Sequence, residues 1–516
     1  MTLRGRIPTF AKPYRPRNEL WDKSSDGCQM KEILRATFKT GTGSLLSMAF
    51  GAIGSKVMAV ILGPSGIGLY SMLGQVTQTA GSLGNSGGSA ALVQGIASRK
   101  GEERERFLRT VFWIFQISSI LVSISMILLA PYISRIALGS SDATNVELIR
   151  WLALPIALGS LLSFVTGVLN GFRAIGRLAI LSASNAAISA LLAYPVSKLV
   201  SQGHEVAFVM MMAIVAIYGI CICLVLTRKD RYFGPIFLPR FRLSIDKASA
   251  WHFFRIASTG TVTAILGSVI LLVVRSMIVS HSGLSGAGIF NVAWTFGFAY
   301  AGLVLGAFGT YYFPTLSLTH DKQARIDLMG KMFRVSTLLI VPLLVLAILL
   351  KPLMVQLLYS SDFLESLQTL RWMLVGDYLK TASWVMSMSI VAYADMKTFL
   401  WTEVSWWSGF LVLSTISIQG YGEMEGVGLA YMVLYAAYLV YVLHYTRSRH
   451  GLTLTNRSVA SWCIGLIIIG ISSWQTWNAT SINWITAGAW GAVLVIFVTL
   501  SLTKRERRGL VQMLRR

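Results

Sequence analysis

Charge is scarce in this chain. Only 13% of its 516 residues are Asp, Glu, Lys or Arg, about half the share of an ordinary soluble domain, and 54% are hydrophobic. So few charges cannot solvate a globule of this size, which excludes a soluble enzyme and a disordered protein. Cysteine is also scarce. Cys28, Cys221, Cys223 and Cys463 show no spacing suited to zinc or to a disulfide framework, which excludes a secreted cross-linked scaffold. The six histidines are scattered, so no metal site is expected. Gly51-Ala-Ile-Gly54-Ser-Lys56 is too short for a phosphate-cradling Walker loop. No nucleophile stands beside a base, and no short apolar core opens the chain as a secretory signal would. The expectation is a membrane protein that is not an enzyme and has no resident cofactor.

What is present is a succession of apolar blocks of about 20 residues, the length that crosses a bilayer as a helix. Fourteen spans are predicted, at roughly 38–62, 68–92, 108–130, 148–170, 178–200, 206–227, 257–280, 288–312, 334–358, 367–392, 398–418, 426–445, 459–475 and 484–503. The fold class is therefore all-α and polytopic. The second span is rich in small residues (Gly81, Gly84, Gly87 and Gly88) and should face protein, where they permit close approach. With this division, 37 Lys and Arg fall on the side of the N-terminus and five on the other: Arg135, Arg150, Lys198, Lys351 and Arg371. The positive-inside rule then sets both termini in the cytoplasm. It also accounts for the net charge of +23 without a nucleic-acid partner, and favours contact with anionic lipids.

The chain repeats. Lys56 precedes Gly66-Ile-Gly68-Leu-Tyr70, and Arg275 precedes Gly286-Ala-Gly288-Ile-Phe290; Arg150-Trp151 recurs as Arg371-Trp372. These landmarks recur at 219, 220 and 221 residues. A six-span unit repeated in the same orientation predicts two pseudo-symmetric lobes, with a transport site between them. The expected organisation is a basic tail (1–36), an N-lobe with spans 1–6 (37–228), a basic linker (229–256) and a C-lobe with spans 7–12 (257–446). Spans 13–14 and a second basic tail complete it (447–516).

Five charged residues are read as sitting well within spans: Lys56, Arg275, Asp377, Lys380 and Glu403. Each costs about 2.5–3.5 kcal/mol at a helix centre on insertion scales. Lys56 and Arg275 are read as occupying equivalent positions in the two repeats, so both are expected to reach a central cavity. Asp377 and Lys380 are three apart and share a helix face, with Trp384 a turn further; Trp406 and Trp407 share the face of Glu403. The alternative is that these charges only pair and staple helices together. Cations facing a cavity suit a phosphate, while aromatic faces and hydroxyl side chains suit a sugar.

Ser55-Lys56-Val-Met-Ala-Val-Ile-Leu-Gly63-Pro64-Ser-Gly66-Ile-Gly68-Leu-Tyr70 resembles the start of the Wzx-type flippases of the multidrug/oligosaccharidyl-lipid/polysaccharide exporter superfamily. Asn170-Gly171-Phe172-Arg173 resembles the family's cytoplasmic turn and Tyr311-Tyr312-Phe313-Pro314 also fits the family, while Leu374-Val-Gly376-Asp377-Tyr-Leu-Lys380 and Thr402-Glu403-Val-Ser405 are similar to segments of the O-antigen and enterobacterial common antigen flippases. The resemblance covers roughly 35–445. It departs from the family in the long basic tail and in the last two spans, since family members commonly have twelve.

The resemblance implies an undecaprenyl-diphosphate oligosaccharide as cargo, moved by alternating access across a bacterial inner membrane. It also implies a glycan polymerase and a chain-length regulator as partners. On this reading Lys56, Arg275 and Lys380 would bind the diphosphate, Asp377 and Glu403 would tune or couple them to a proton, sodium ion or the membrane potential, and Trp384, Trp406 and Trp407 would contact sugar or lipid. A cation-coupled multidrug exporter, whose cavity should be acidic or apolar, and a non-transporting scaffold for glycan assembly are the alternatives.

Overall fold

A computed structural model describes residues 26–85, 88–228, 245–319, 321–421 and 424–501. The outermost parts of both basic tails and most of the basic linker lie outside these residues. Every regular element among the described residues is helical. In order these are α1 (Asp26–Gly84), α2 (Ser89–Ala97), α3 (Gly101–Leu128), α4 (Ala130–Leu138), α5 (Ala143–Trp151), α6 (Ala153–Gly171), α7 (Ile175–Ser201) and α8 (Val206–Thr227). Then come α9 (Lys247–Leu318), α10 (Lys322–Leu358), α11 (Ser366–Ala392), α12 (Met396–Thr415), α13 (Glu425–His450), α14 (Asn456–Gln475) and α15 (Trp484–Ser501). Ten segments among the described residues are long and apolar enough to cross a membrane, so the chain is an all-α polytopic membrane protein.

Two of these segments, Gly43–Gly84 with 42 residues and Gly260–Gly297 with 38, are twice as long as the roughly 20 residues one crossing takes. Each bends at a glycine. Gly63 (φ 63°, ψ −165°) interrupts α1, and Gly283 (φ 67°, ψ −173°), 220 positions later, interrupts α9 in the same way. Only glycine adopts this conformation without severe strain. Pro64 follows the first bend, where its fixed φ suits a resumed helix.

The two bends pack against each other. A Cβ at Gly68 would overlap the Leu284 carbonyl oxygen, and one at Gly288 would overlap the Pro64 carbonyl oxygen. Each contact is the other displaced by 220 positions, so backbone meets backbone reciprocally. Of the small residues expected to face protein, Gly84 meets Ser119 and Gly88 lies against the Phe253 ring, whereas Gly81 has open space around it and Gly87 lies outside the described residues; α1 ends at Gly84 and α2 begins at Ser89.

A second recurrence lies at the opposite end of the bundle. Among the described residues, Arg173 (φ 55°) and Ala394 (φ 57°) are the non-glycine residues with positive φ. Each closes a turn in which the next residue's N–H reaches back five positions, Ala174 to Leu169 and Asp395 to Ile390. The spacing here is 221, so one residue has been gained between the bends and these turns. Acidic caps begin several helices at this end. Asp246 accepts from the Ser249 N–H (2.8 Å), Asp321 from the Ala324 N–H (2.7 Å) and Asp395 from the Thr398 N–H (3.2 Å). Each satisfies a donor that the first turn leaves free.

Lys351 and Arg371, counted among the loop residues on the side opposite the N-terminus, are instead buried within α10 and α11, 2% and 6% exposed. Arg371 tolerates this because it forms an ion pair with the partly buried Glu425 carboxylate.

Candidate functional site

A buried charged cluster is built on α11. Its helical spacing sets Asp377 and Lys380 on one face, and α13 covers that face. Asp377 is completely buried and Lys380 nearly so. The Tyr431 hydroxyl on α13 bridges them: it accepts from Lys380 Nζ (3.0 Å) and donates to Asp377 Oδ1 (2.7 Å). The direct ammonium–carboxylate distance is 3.8 Å. Asp377 Oδ2 has no hydrogen-bond partner among the described residues. It faces Gly297 on α9, where an added Cβ would lie 3.7 Å away.

Aromatic rings enclose this trio. Lys380 Nζ lies 5.6 Å from the Tyr431 ring centre and 5.7 Å from that of Tyr435, within reach of cation–π attraction. Tyr435 packs on Trp406 (5.0 Å), Trp406 stacks on Phe410 (5.5 Å), Phe410 meets Trp294 (5.8 Å) and Trp294 meets Tyr431 (6.2 Å), closing a ring. Glu403 is in hydrogen-bond contact with Trp407 and close to Tyr435 and Tyr438. Trp407 packs over Gly267 of α9, whose missing side chain leaves room for the indole. Outside the ring, Trp401, Thr402, Ser405, Trp406 and Tyr438 help line a groove of about 380 Å³ between α12 and α13.

The other expected site residues lie in different surroundings. Lys56 donates to the carbonyls of Gln356 (2.7 Å) and Tyr359, at the end of α10. These are carbonyls that a helix C-terminus leaves free, at the negative end of its dipole. Arg275 is buried; its Nη2 donates to Asn291 (3.1 Å) and its guanidinium lies 5.7 Å from the Phe290 ring centre. Phe290 in turn touches Trp294 (5.7 Å), so Arg275 reaches the aromatic ring at one remove. Trp384 packs into a separate apolar cluster with Tyr312, Phe333 and Met386.

The two cations are not structural counterparts. The register between the bends is 220, which pairs Lys56 with Ser276 and Arg275 with Ser55. The contacts agree: Ser276 donates to the Ile136 carbonyl at the end of α4, and Ile136 precedes Gln356 by 220. A spacing of 219 is one residue out, and one residue turns a side chain by about 100° around the helix. Lys56 and Arg275 therefore point differently, Lys56 across to a helix end and Arg275 into the α9 hairpin.

The sequence reading missed Tyr431, Tyr435, Trp294 and Phe410. The signal available was the tyrosine stripe of α13, Tyr431-Tyr435-Tyr438, at the spacing of one helix face.

Comparison with known proteins follows this geometry. The profile of a family described as polysaccharide biosynthesis protein matches residues 33–320, more than half of the chain. The lipid III flippase of Escherichia coli (strain K12) is 25% identical over 413 residues, covering 79% of this chain and 96% of that protein. The lipid III flippase of Shigella flexneri matches to the same extent. Among solved structures, the lipid II flippase MurJ in an inward closed conformation aligns with a TM-score of 0.69 at 15% identity, over 93% of this chain and all of that one. An inward-facing multidrug resistance MATE transporter aligns at 0.59 and 14%, over 78% and 94%.

Proposed function

We propose that this chain, which belongs to the polysaccharide biosynthesis protein family, translocates a lipid-linked glycan across the membrane, and that the cargo is an undecaprenyl-diphosphate oligosaccharide. The work to be done is set by the sugar head. Each hydroxyl that loses its hydrogen bonds in hydrocarbon costs a few kcal/mol, so several sugars cross only through a polar path while the isoprenoid tail stays in lipid. Fourteen crossings in two six-helix lobes, related by the 220-residue recurrence and extended by α14 and α15, would supply that path by alternating access. The observation that carries the reading is the buried Lys380–Tyr431–Asp377 trio inside a ring of aromatic faces. It joins a cation for phosphate to stacking surfaces for sugar.

In this reading Lys380 and Arg275 hold the diphosphate, with Lys56 reached as the lobes part. In the conformation described, Lys56 is engaged by the carbonyls of Gln356 and Tyr359. A diphosphate is a stronger acceptor than two neutral carbonyls, so cargo arriving at that end would draw Lys56 away and release the contact between α1 and α10. Asp377 and Glu403 tune these cations or couple them to a proton or sodium ion. Trp406 and Trp407 contact sugar, and Trp384 contacts lipid. With both termini cytoplasmic, outward movement of about two negative charges is favoured by the membrane potential, at about 2.3 kcal/mol per charge per 100 mV.

The deciding experiment removes the protein from its cell and extracts the membrane lipids. Accumulation of a lipid-linked oligosaccharide on the cytoplasmic face, with loss of surface glycan, is expected. Drug sensitivity with normal glycan display would instead favour a multidrug exporter and overturn the proposal.

A further inference from the structure

At the end of the bundle where α10 and α14 finish and α11, α13 and α15 begin, a second group of charges lies apart from the Asp377 trio. Lys351 is 2% exposed, and its Nζ has no hydrogen-bond partner among the described residues. Arg371 is close enough to repel it. Arg371 pairs with Glu425, donates to the Trp477 carbonyl (3.3 Å) and holds its guanidinium 3.9 Å from the Trp477 ring centre. Its Nε is buried without a partner. The Trp372 indole donates to the same Glu425 carboxylate (2.6 Å), while Lys351 Nζ makes no hydrogen bond to it. Among the described residues, two buried cations thus share one carboxylate, which leaves one positive charge uncompensated, a costly arrangement in a low-dielectric interior.

Three features say what would compensate it. The first is valence: one negative charge completes the balance. The second is space. The turn of α10 that carries Lys351 supplies Ile348, Leu349 and Pro352 to one wall of a cavity of about 380 Å³, whose facing wall is polar and includes Gln475, Asn478 and Asn483. A lysine stem is long enough to turn its amine into such a space. The third is depth. Lys351 lies seven residues before the end of α10, about 10 Å along the helix. The neighbouring α14–α15 turn is flanked by Trp474 at the end of α14 and Trp484 at the start of α15, 74% and 71% exposed. Exposed tryptophans of this kind collect at the headgroup level of a bilayer.

We propose that this cavity, lined by α10, the α14–α15 turn and the helix ends beside it, binds a singly charged phosphate borne by a lipid headgroup, with Lys351 turning its amine in from the adjoining helix face and Arg371, held to Trp477 of the same turn, as the second cation behind it. It gives the last two helices a task, since Trp477 in their connecting turn is what holds the Arg371 guanidinium flat. The proposal does not depend on the transported cargo.

The test uses the full chain, purified in detergent and stripped of lipid, and reads its melting temperature. Phosphatidylglycerol, undecaprenyl diphosphate, phosphatidylcholine and inorganic phosphate are titrated separately. Phosphatidylglycerol, with its single negative charge, should raise the melting temperature of the wild type more than phosphatidylcholine does. A response to undecaprenyl diphosphate without one to phosphatidylglycerol would assign the phosphate to the cargo and overturn the proposal. Lys351→Met should melt no lower than wild type without lipid, because it removes an unpaired buried charge. Its apparent affinity for the effective lipid should fall about tenfold or more, the order expected when a buried contact to a charge is deleted, while Lys351→Arg should retain it. An undiminished lipid response in Lys351→Met, no response in the wild type, or the full response from inorganic phosphate alone would each overturn the proposal.

Discussion

The Asp377–Lys380 pair lends itself to a double-mutant cycle. Asp377 is fully buried, and its hydrogen bond comes from Tyr431, which in turn receives one from Lys380. Lys380→Met alone strands a buried carboxylate, and Asp377→Asn alone strands a buried ammonium. Removing one partner of a buried pair costs about 3–5 kcal/mol. The double variant Asp377→Asn/Lys380→Met removes both charges and leaves the Tyr431 hydroxyl an amide to bond. It should therefore cost much less than the two single changes together, with a coupling of about 2–3 kcal/mol, at the upper end for residues in one network. Denaturation of the four purified proteins in the same detergent measures this directly. Additive losses would refute the geometry, since charges that do not interact cannot compensate each other. Transport then separates the two roles this pair could have. If the double variant is stable but no longer restores surface glycan to a deletion strain, the charges act on cargo. If it is stable and active, they only staple α11 to α13.

Lys56→Ala should loosen the contact between α1 and the end of α10, and spin labels at exposed Tyr132 on α4 and Leu357 on α10, in a cysteine-free background, should report a broader distance distribution. Lys56→Arg should preserve the narrow one, and an unchanged distribution in Lys56→Ala would count against a latch. Gly68→Ala presses a methyl onto the Leu284 carbonyl; forced overpacking costs about 1–3 kcal/mol, so the melting temperature should drop, whereas Gly74→Ala, with nothing near its Cβ position, should be neutral. Hydrogen bonds from the Thr398 hydroxyl and N–H, then from the Tyr445 hydroxyl, hold the Asp395 carboxyl below the ordinary carboxylate value, against a small desolvation effect. A carboxyl depressed in the folded state stabilises above its unfolded value, near 3.9, and loses that contribution as pH falls through the folded value. Asp395→Ala should thus cost about 1 kcal/mol at pH 7, as for other N-caps, and the gap to wild type should narrow in melts below pH 4.

Much of this architecture is legible from residue order because a membrane removes most alternatives. Apolar length marks the helices, and the recurrence of Gly66–Gly68 as Gly286–Gly288 marks the two bends. The Asp377–Lys380 contact follows from helical spacing alone. Contacts between helices do not. Lys56 meets carbonyls 300 and 303 residues away, and backbone carbonyls carry no sequence signal. Tyr431 lies 54 residues from Asp377; spacing tells which face α13 presents but not which helix it covers. Trp384 follows Lys380 by one turn, yet α11 is covered on more than one side, and that turn packs among Tyr312 and Phe333 instead. The equivalence of Lys56 and Arg275 failed for a related reason. Similar chemistry one position apart resembles a repeat in a string of letters, but on a cylinder it is a quarter-turn error.

Possession of two glycine bends, at 63 and 283, makes the molecule its own control. A change made at one bend leaves an unaltered twin in the same polypeptide, under the same detergent, temperature and expression level. Comparing the left-hand with the right-hand substitution would therefore reveal how unequally the two bends share their labour, a measurement that a chain with one such bend does not permit.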